Sequence, residues 1–260
     1  MAQIALTRQG AVARLTIDHP ERMNALTPEM LGDLEAALEE IEGDPALRVV
    51  ILTGAGERAF ASGGDISRFS DTQGSPERIR EGSVRRERVF HRLGTFPKPV
   101  VAMIRGYCMG GGLALALQAD LRFAAEGSTF GIPAARLGIV YGVGGVERLM
   151  QLVGPSRAKD ILFSARRFDA AEAHRIGLVD RLLPPEELEA GVSAYCDQLA
   201  ENAPISVEAS KAMVAQALLP KAARDTALIE ALHRRSAESA DLVEGRTAFM
   251  EKRRPVFRGA

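Results

Sequence analysis

The sequence predicts an α/β fold on a largely parallel sheet. Short β-branched runs recur along it, and each ends in glycine and leads on toward a helix. Residues 48–53 (RVVILT) end at Gly54, and residues 99–104 (PVVAMI) run into Gly106 and Gly110-Gly111-Gly112. Beyond Pro184 the pattern turns mostly helical. At 260 residues and 27.9 kDa the chain can bury a core, as one large α/β domain or two small ones.

The elements follow in order. Residues 4–18 read as two strands around a Gln9-Gly10 turn. Thr27 suits a helix N-cap and Pro28 the first helical position, and Leu31, Leu34, Leu38 and Ile41 then share one apolar face. The run at 48–53 fits a buried parallel strand. A glycine-bearing loop follows from 54 to 65, and the charge-rich stretch from 68 to 92 reads as a mobile loop running into an exposed helix. The second strand, 99–104, is followed by glycines and a small-residue helix over 113–119. Leu121, Phe123 and Ala125 alternate as a third strand does. Glycines from 138 to 145 precede a helix through Arg148 and Leu152, with Glu147 expected in its first turn, where a carboxylate suits the helix dipole. After Pro204, Ile205, Ala209, Ala212, Met213 and Ala217 form an apolar helical stripe that its own core or a neighbouring subunit must cover.

Composition narrows the function classes. Lys plus Arg number 33 and Asp plus Glu 34, a net charge of −1, which gives no electrostatic case for nucleic acid or an anionic membrane. Cys108 and Cys196 lie far apart and outside metal-ligand spacing, so neither a disulfide framework nor a zinc site is expected. The most apolar region, 100–117, is broken by Arg105 and the three glycines and does not read as a membrane span. The N-terminus lacks an apolar stretch of signal-peptide length, so a cytoplasmic location is expected.

Several motifs fail on physical grounds. Gly54-Ala55-Gly56-Glu57-Arg58-Ala59 after a strand fits the dinucleotide spacing, but Phe60-Ala61-Ser62-Gly63-Gly64-Asp65 would break the helix that must open there. No acidic residue ends a second strand about 20 residues on. No serine stands in a nucleophile elbow. The four histidines are scattered, and no metal is expected. What remains is Gly63-Gly64 and Gly110-Gly111-Gly112 at the carboxyl ends of strands, where ligands bind in α/β sheets. Two readings stay open from the residues alone. Backbone N–H groups of the two loops converge as an oxyanion hole, or the glycines serve only tight turns and close helix–strand packing.

Six segments in order carry a family resemblance over nearly the whole chain: Met23-Asn24-Ala25-Leu26; Ala59-Phe60-Ala61-Ser62-Gly63-Gly64-Asp65-Ile66; Gly106-Tyr107-Cys108-Met109-Gly110-Gly111-Gly112; Phe130-Gly131-Ile132-Pro133 with Gly138 and Gly144-Gly145; Ala171-Glu172-Ala173 with Ile176-Gly177-Leu178-Val179-Asp180; and Phe249-Met250-Glu251-Lys252-Arg253. In these the sequence resembles the crotonase family, also called the enoyl-CoA hydratase/isomerase family. The resemblance implies a spiral of ββα turns over residues 1–200 and a helical oligomerisation region over 201–260, assembled as a homotrimer or a hexamer of two trimers. It implies an acyl-CoA substrate, with coenzyme A as part of the substrate and no separate cofactor. The thioester carbonyl would accept hydrogen bonds from the N–H groups of Gly64 and Gly111, which stabilise an enolate. Asn24, Ala25, Ala61, Asp65, Ile66, Ala114, Pro133, Ala134, Phe249 and Lys252 are the implied substrate-binding positions, with the adenine near Ala61. Lys252 equally reads as a solvated lysine beside Arg253 and Arg254.

One departure is informative. Hydratases of the family use two glutamates, and the resemblance places them at Ala114 and Ala134, both alanine here. A third carboxylate position falls at Gly142. Alanine neither takes a proton nor orients a water, and general acid–base assistance is typically about 100- to 10,000-fold per group. The sequence therefore leans to decarboxylation of a malonyl-type thioester, which forms its enolate by losing CO₂ without a base. The alternatives are a hydratase or isomerase with a displaced acid/base, and an inert CoA-binding protein. Tyr141 is the polar candidate for catalysis beside the glycines, or else packs its ring on the sheet. Asp65 and Ser62 read as loop chemistry, and Arg68, Arg85 and Arg86 as a solvated face.

Overall fold

The computed structural model describes residues 2–64 and 76–260, with the side chains of residues 76, 78 and 79 also left undescribed. Strands β1 (Gln3–Gln9) and β2 (Val12–Asp18) form the expected hairpin. Helix α1 (Pro28–Gly43) begins where the sequence places it, with the Thr27 hydroxyl accepting from Met30 N–H and Leu34, Leu38 and Ile41 fully buried.

Three ββα turns follow. Strands β3 (Val49–Gly54) and β4 (Ala59–Ala61) lead to α2 (Pro76–Gly94). Then β5 (Val100–Ile104) and β6 (Tyr107–Met109) lead to α3 (Gly110–Ala116), and β7 (Leu121–Ala125) and β8 (Thr129–Gly131) to α4 (Val143–Ser164). The first strand of each turn joins a six-stranded sheet ordered β1-β2-β3-β5-β7-β10, parallel apart from the hairpin. The second joins a four-stranded sheet, β4-β6-β8-β9, closed by β9 (Arg167–Asp169) antiparallel to β8. Helix α5 (Ala170–Arg175), strand β10 (Arg181–Leu183) and helix α6 (Leu188–Ala200) complete the sheet region. Helices α7 (Pro204–Leu218), α8 (Thr226–Ala237) and α9 (Ala240–Glu251) end the chain.

Three details differ from the sequence reading. The helix expected over 113–119 starts at Gly110, so the glycines are its first turn, not a loop before it. Glu147 is the fifth residue of α4 and lies past the first turn, where the dipole argument loses its force. The apolar stripe of α7 is covered unevenly: Ile205 is buried, Ala209, Ala212 and Met213 are half-buried, and Ala217 and the neighbouring Leu218 are exposed. At Gly54 the chain turns directly from β3 into β4, and no helix opens there for a dinucleotide. No helix among the described residues is long and apolar enough to cross a membrane.

Candidate active site

The two glycine clusters meet where the second strands of successive turns end. β4 pairs with β6 in parallel, which brings the residues after Ala61 beside those after Met109. A β-carbon placed on Gly111 would stand 3.4 Å from the Gly64 nitrogen, and one on Gly63 would stand 3.7 Å from the Gly111 nitrogen. Gly63 also holds φ +120°, a backbone region that L side chains avoid. Glycine here thus satisfies both contact distance and dihedral.

The directions of the N–H groups follow from their neighbours. Leu26 N–H donates to the Gly63 carbonyl at 2.8 Å. In a trans peptide the N–H points opposite the C=O, so the Gly64 N–H points away from Leu26. The Gly111 amide is in the first turn of α3, where N–H groups lack a partner within the helix. The arrangement can offer two N–H donors, one after β4 and one in the first turn of α3, to one oxygen atom.

Segment 23–26 holds this geometry from beneath. Asn24 is 1% exposed and adopts left-handed backbone, φ 56°, which asparagine tolerates better than most residues. Its Oδ1 accepts from His19 N–H at 3.0 Å, and its Nδ2 donates to the carbonyls of Ala55 at 2.9 Å and Ala59 at 2.7 Å. Ser62 N–H donates to the Met23 carbonyl at 3.0 Å. Asn24 therefore spends its side chain inside the protein, as the clamp that sets the approach to Gly63 and Gly64. Asn24→Ala removes the partner of two buried backbone groups and one partly buried one, at about 1–3 kcal/mol for each buried group. Denaturant unfolding should register a loss of about 3 kcal/mol or more.

The remaining expected positions divide. Pro133 lies against the glycines, its Cδ 3.8 Å from where a β-carbon of Gly110 would sit. Ala114, one turn into α3, and Ala25 are buried, and Ala134 is half-buried. Ala61 is fully enclosed, and Gly112 packs so closely on its carbonyl that a β-carbon would come within 2.3 Å of the oxygen. The next residue after Ala61, Ser62, is exposed. Phe249 and Lys252 sit at the end of α9, both exposed, and their described contacts do not reach Gly64 or Gly111 in this chain. Asp65, Ile66 and Arg68 lie outside the described residues.

Tyr141 is half-buried with its ring over Gly145, and its hydroxyl donates to the Gly110 carbonyl in a long hydrogen bond of 3.4 Å. Burial, helped by the nearby Cys108 thiol, raises the phenol well above its ordinary pKa, against the pull of Arg86. The group is thus a neutral O–H on the carbonyl side of the peptide whose N–H belongs to Gly111. Cys108 is fully buried with its own pKa raised by burial, which fits a packing residue rather than a nucleophile. No cluster of metal-ligating side chains occurs among the described residues.

Sequence reasoning missed Glu87. A β-carbon on Gly142 would stand 2.3 Å from its Oε1. The residue sits in a charge-rich helix that reads as a solvated face, and no local pattern links it to a position 55 residues on.

Comparison with known proteins places this geometry among relatives. The family model for enoyl-CoA hydratase/isomerase matches residues 7–260. The chain is 37% identical over 254 residues to the short-chain-enoyl-CoA hydratase of Clostridium acetobutylicum, covering 96% of this chain and 95% of that protein. It is 34% identical over 266 residues to the carnitinyl-CoA dehydratase of Salmonella arizonae, covering 98% of each. A crystal structure of an enoyl-CoA hydratase/carnithine racemase from Magnetospirillum magneticum superposes with a TM-score of 0.94 at 35% identity, covering 100% of this chain and 97% of that one.

Proposed function

The chain belongs to the enoyl-CoA hydratase/isomerase family, and from that membership we propose that it acts on an acyl-CoA thioester by holding an enolate oxygen between the N–H groups of Gly64 and Gly111. The observation that carries this reading is the approach of the two glycine backbones, 3.4 Å from the Gly64 nitrogen to a β-carbon position on Gly111. An enolate concentrates negative charge on the thioester oxygen, and fixed N–H dipoles aimed at that charge stabilise it without reorganising. Coenzyme A enters as part of the substrate, with no separate cofactor in the reaction.

The hydratase and dehydratase names of the relatives support proton transfer on the acyl chain. The alanines at 114 and 134 argue against the two-glutamate version of that chemistry. Decarboxylation of a malonyl-type thioester is the second reading, favoured by those same alanines because it needs no base. The relatives lend it no support. Assembly as a homotrimer or hexamer through residues 201–260 is supported by the apolar surface these helices leave open, including Phe249 at 83% exposed and Met250 at 79%.

A panel of CoA thioesters followed by mass spectrometry in heavy water tests the proposal. Deuterium entering the acyl chain, or gain of water by an enoyl thioester, is the expected result. Loss of CO₂ from a methylmalonyl or ethylmalonyl thioester would establish the second reading. Thioester binding with neither exchange nor turnover across the panel would overturn both and leave an inert CoA-binding protein.

A further inference from the structure

We propose that Glu87, carried in from α2, is the group that moves the proton at this site, in the place that glycine at position 142 keeps open; this rests on the reading that a thioester oxygen sits between the Gly64 and Gly111 N–H groups. The juxtaposition is tight. A β-carbon on Gly142 would lie 2.3 Å from Glu87 Oε1, 3.4 Å from its Cδ and 3.8 Å from its Cγ, so a side chain at 142 and this carboxylate exclude one another. Backbone strain does not call for glycine there. Gly142 has φ −63° and ψ 145°, an extended conformation open to any residue. What the missing side chain makes room for is the carboxylate.

The helix that carries this exposed side chain is anchored. Helix α2 buries Val89, Phe90 and Leu93, and Arg85 and Arg88 reach across to Glu35 of α1 at 3.7 and 2.9 Å. Those arginines are engaged elsewhere, and Arg86 hydrogen-bonds to Ser83 at 3.2 Å. Among the described residues Glu87 forms no ion pair and no hydrogen bond, although arginines surround it in sequence. Beside Gly142 stands Tyr141, whose hydroxyl touches the carbonyl of Gly110, one residue before the Gly111 amide. Helix α2 thus delivers an exposed, uncommitted carboxylate next to the segment that borders the two N–H donors.

One carboxylate suffices for moving a double bond. From a β,γ-unsaturated acyl thioester, Glu87 takes a proton from the α-carbon. The C–H electron pair passes through the carbonyl to its oxygen, where the two N–H groups hold the charge. The carboxylic acid then returns the proton to the γ-carbon, the double bond stands α,β, and the carboxylate is regenerated. Nothing is consumed. Addition of water asks more of the site, since the water must be activated as well.

The test uses 3-hexenoyl-CoA, with product and deuterium content followed by mass spectrometry and hexanoyl-CoA binding by calorimetry. Wild type should isomerise the probe. Glu87→Gln should slow it by about 100- to 10,000-fold with binding within about threefold, the range for loss of one acid–base group. Added formate should partly restore Glu87→Ala, which a merely structural role would not allow. Gly142→Ala should slow the reaction too, yet add little on top of Glu87→Gln. Wild-type turnover that Glu87→Gln leaves undiminished overturns the role of Glu87 alone. Wild type that binds the thioester but neither isomerises it nor exchanges α-protons overturns this proposal together with the enolate reading.

Discussion

Gly111→Pro should lower kcat on any thioester the enzyme turns over by about 100- to 1000-fold, the usual loss on removing one oxyanion donor. Proline deletes the N–H and also sets its β-carbon 3.4 Å from the Gly64 nitrogen. Gly111 is the second residue of α3, in the helical turn where proline is tolerated because the N–H there has no helical partner. The fold should therefore survive, and the circular dichroism spectrum should stay close to wild type. A fall in kcat beyond that of a variant with the same β-carbon marks an interaction made mainly in the transition state. Gly111→Ala is the informative companion. It keeps the N–H but places a methyl group 3.4 Å from the Gly64 nitrogen, in the space that the oxygen needs. It should weaken thioester binding about as proline does, so the further fall in kcat with proline reports the lost N–H. If both variants turn over substrate at wild-type rates, the reaction does not run through these two N–H groups.

The sequence made the fold class legible through its six-stranded sheet. Strands β3, β5 and β7 are five or six residues long, mostly buried, and end near glycine. The four-stranded sheet left no such trace. Strands β4, β6, β8 and β9 have three residues each, too few for a periodicity to register, and exist because neighbouring turns of the spiral pair them. The glycine pair was visible as composition, but the convergence of its backbones is a product of the β4–β6 pairing. Asn24 shows the opposite case. Its importance was legible from the family motif, yet its role as a buried clamp depends on carbonyls 31 and 35 residues away. Glu87 was illegible for the same reason: its meaning lies in the empty space at Gly142, and the absence of a side chain is a signal only when something fills it.

Ala114→Glu combined with Ala134→Glu should confer hydration of a 2-enoyl thioester, raised over wild type by about 100- to 10,000-fold. The two gains should not multiply, because groups acting on one water work as a unit. Each alanine alone should therefore give little when replaced. Room is the opposing term. Ala114 is buried on α3 and Ala134 half-buried, and inserting bulk into packed surroundings costs about 1–3 kcal/mol. Denaturant unfolding of the double variant should show a loss of that order, so hydration must be read at a temperature where the variant stays folded. Placing the same two substitutions on a Glu87→Gln background separates the chemistries. Hydration acquired through residues 114 and 134 should persist there, because those two carboxylates do not act through Glu87. Should the double variant fold, bind thioester and still add no water, then the alanines are not what withholds hydration from this site. The difference from the hydratase relatives would then lie in how the acyl chain is held between α2 and the segment at Tyr141.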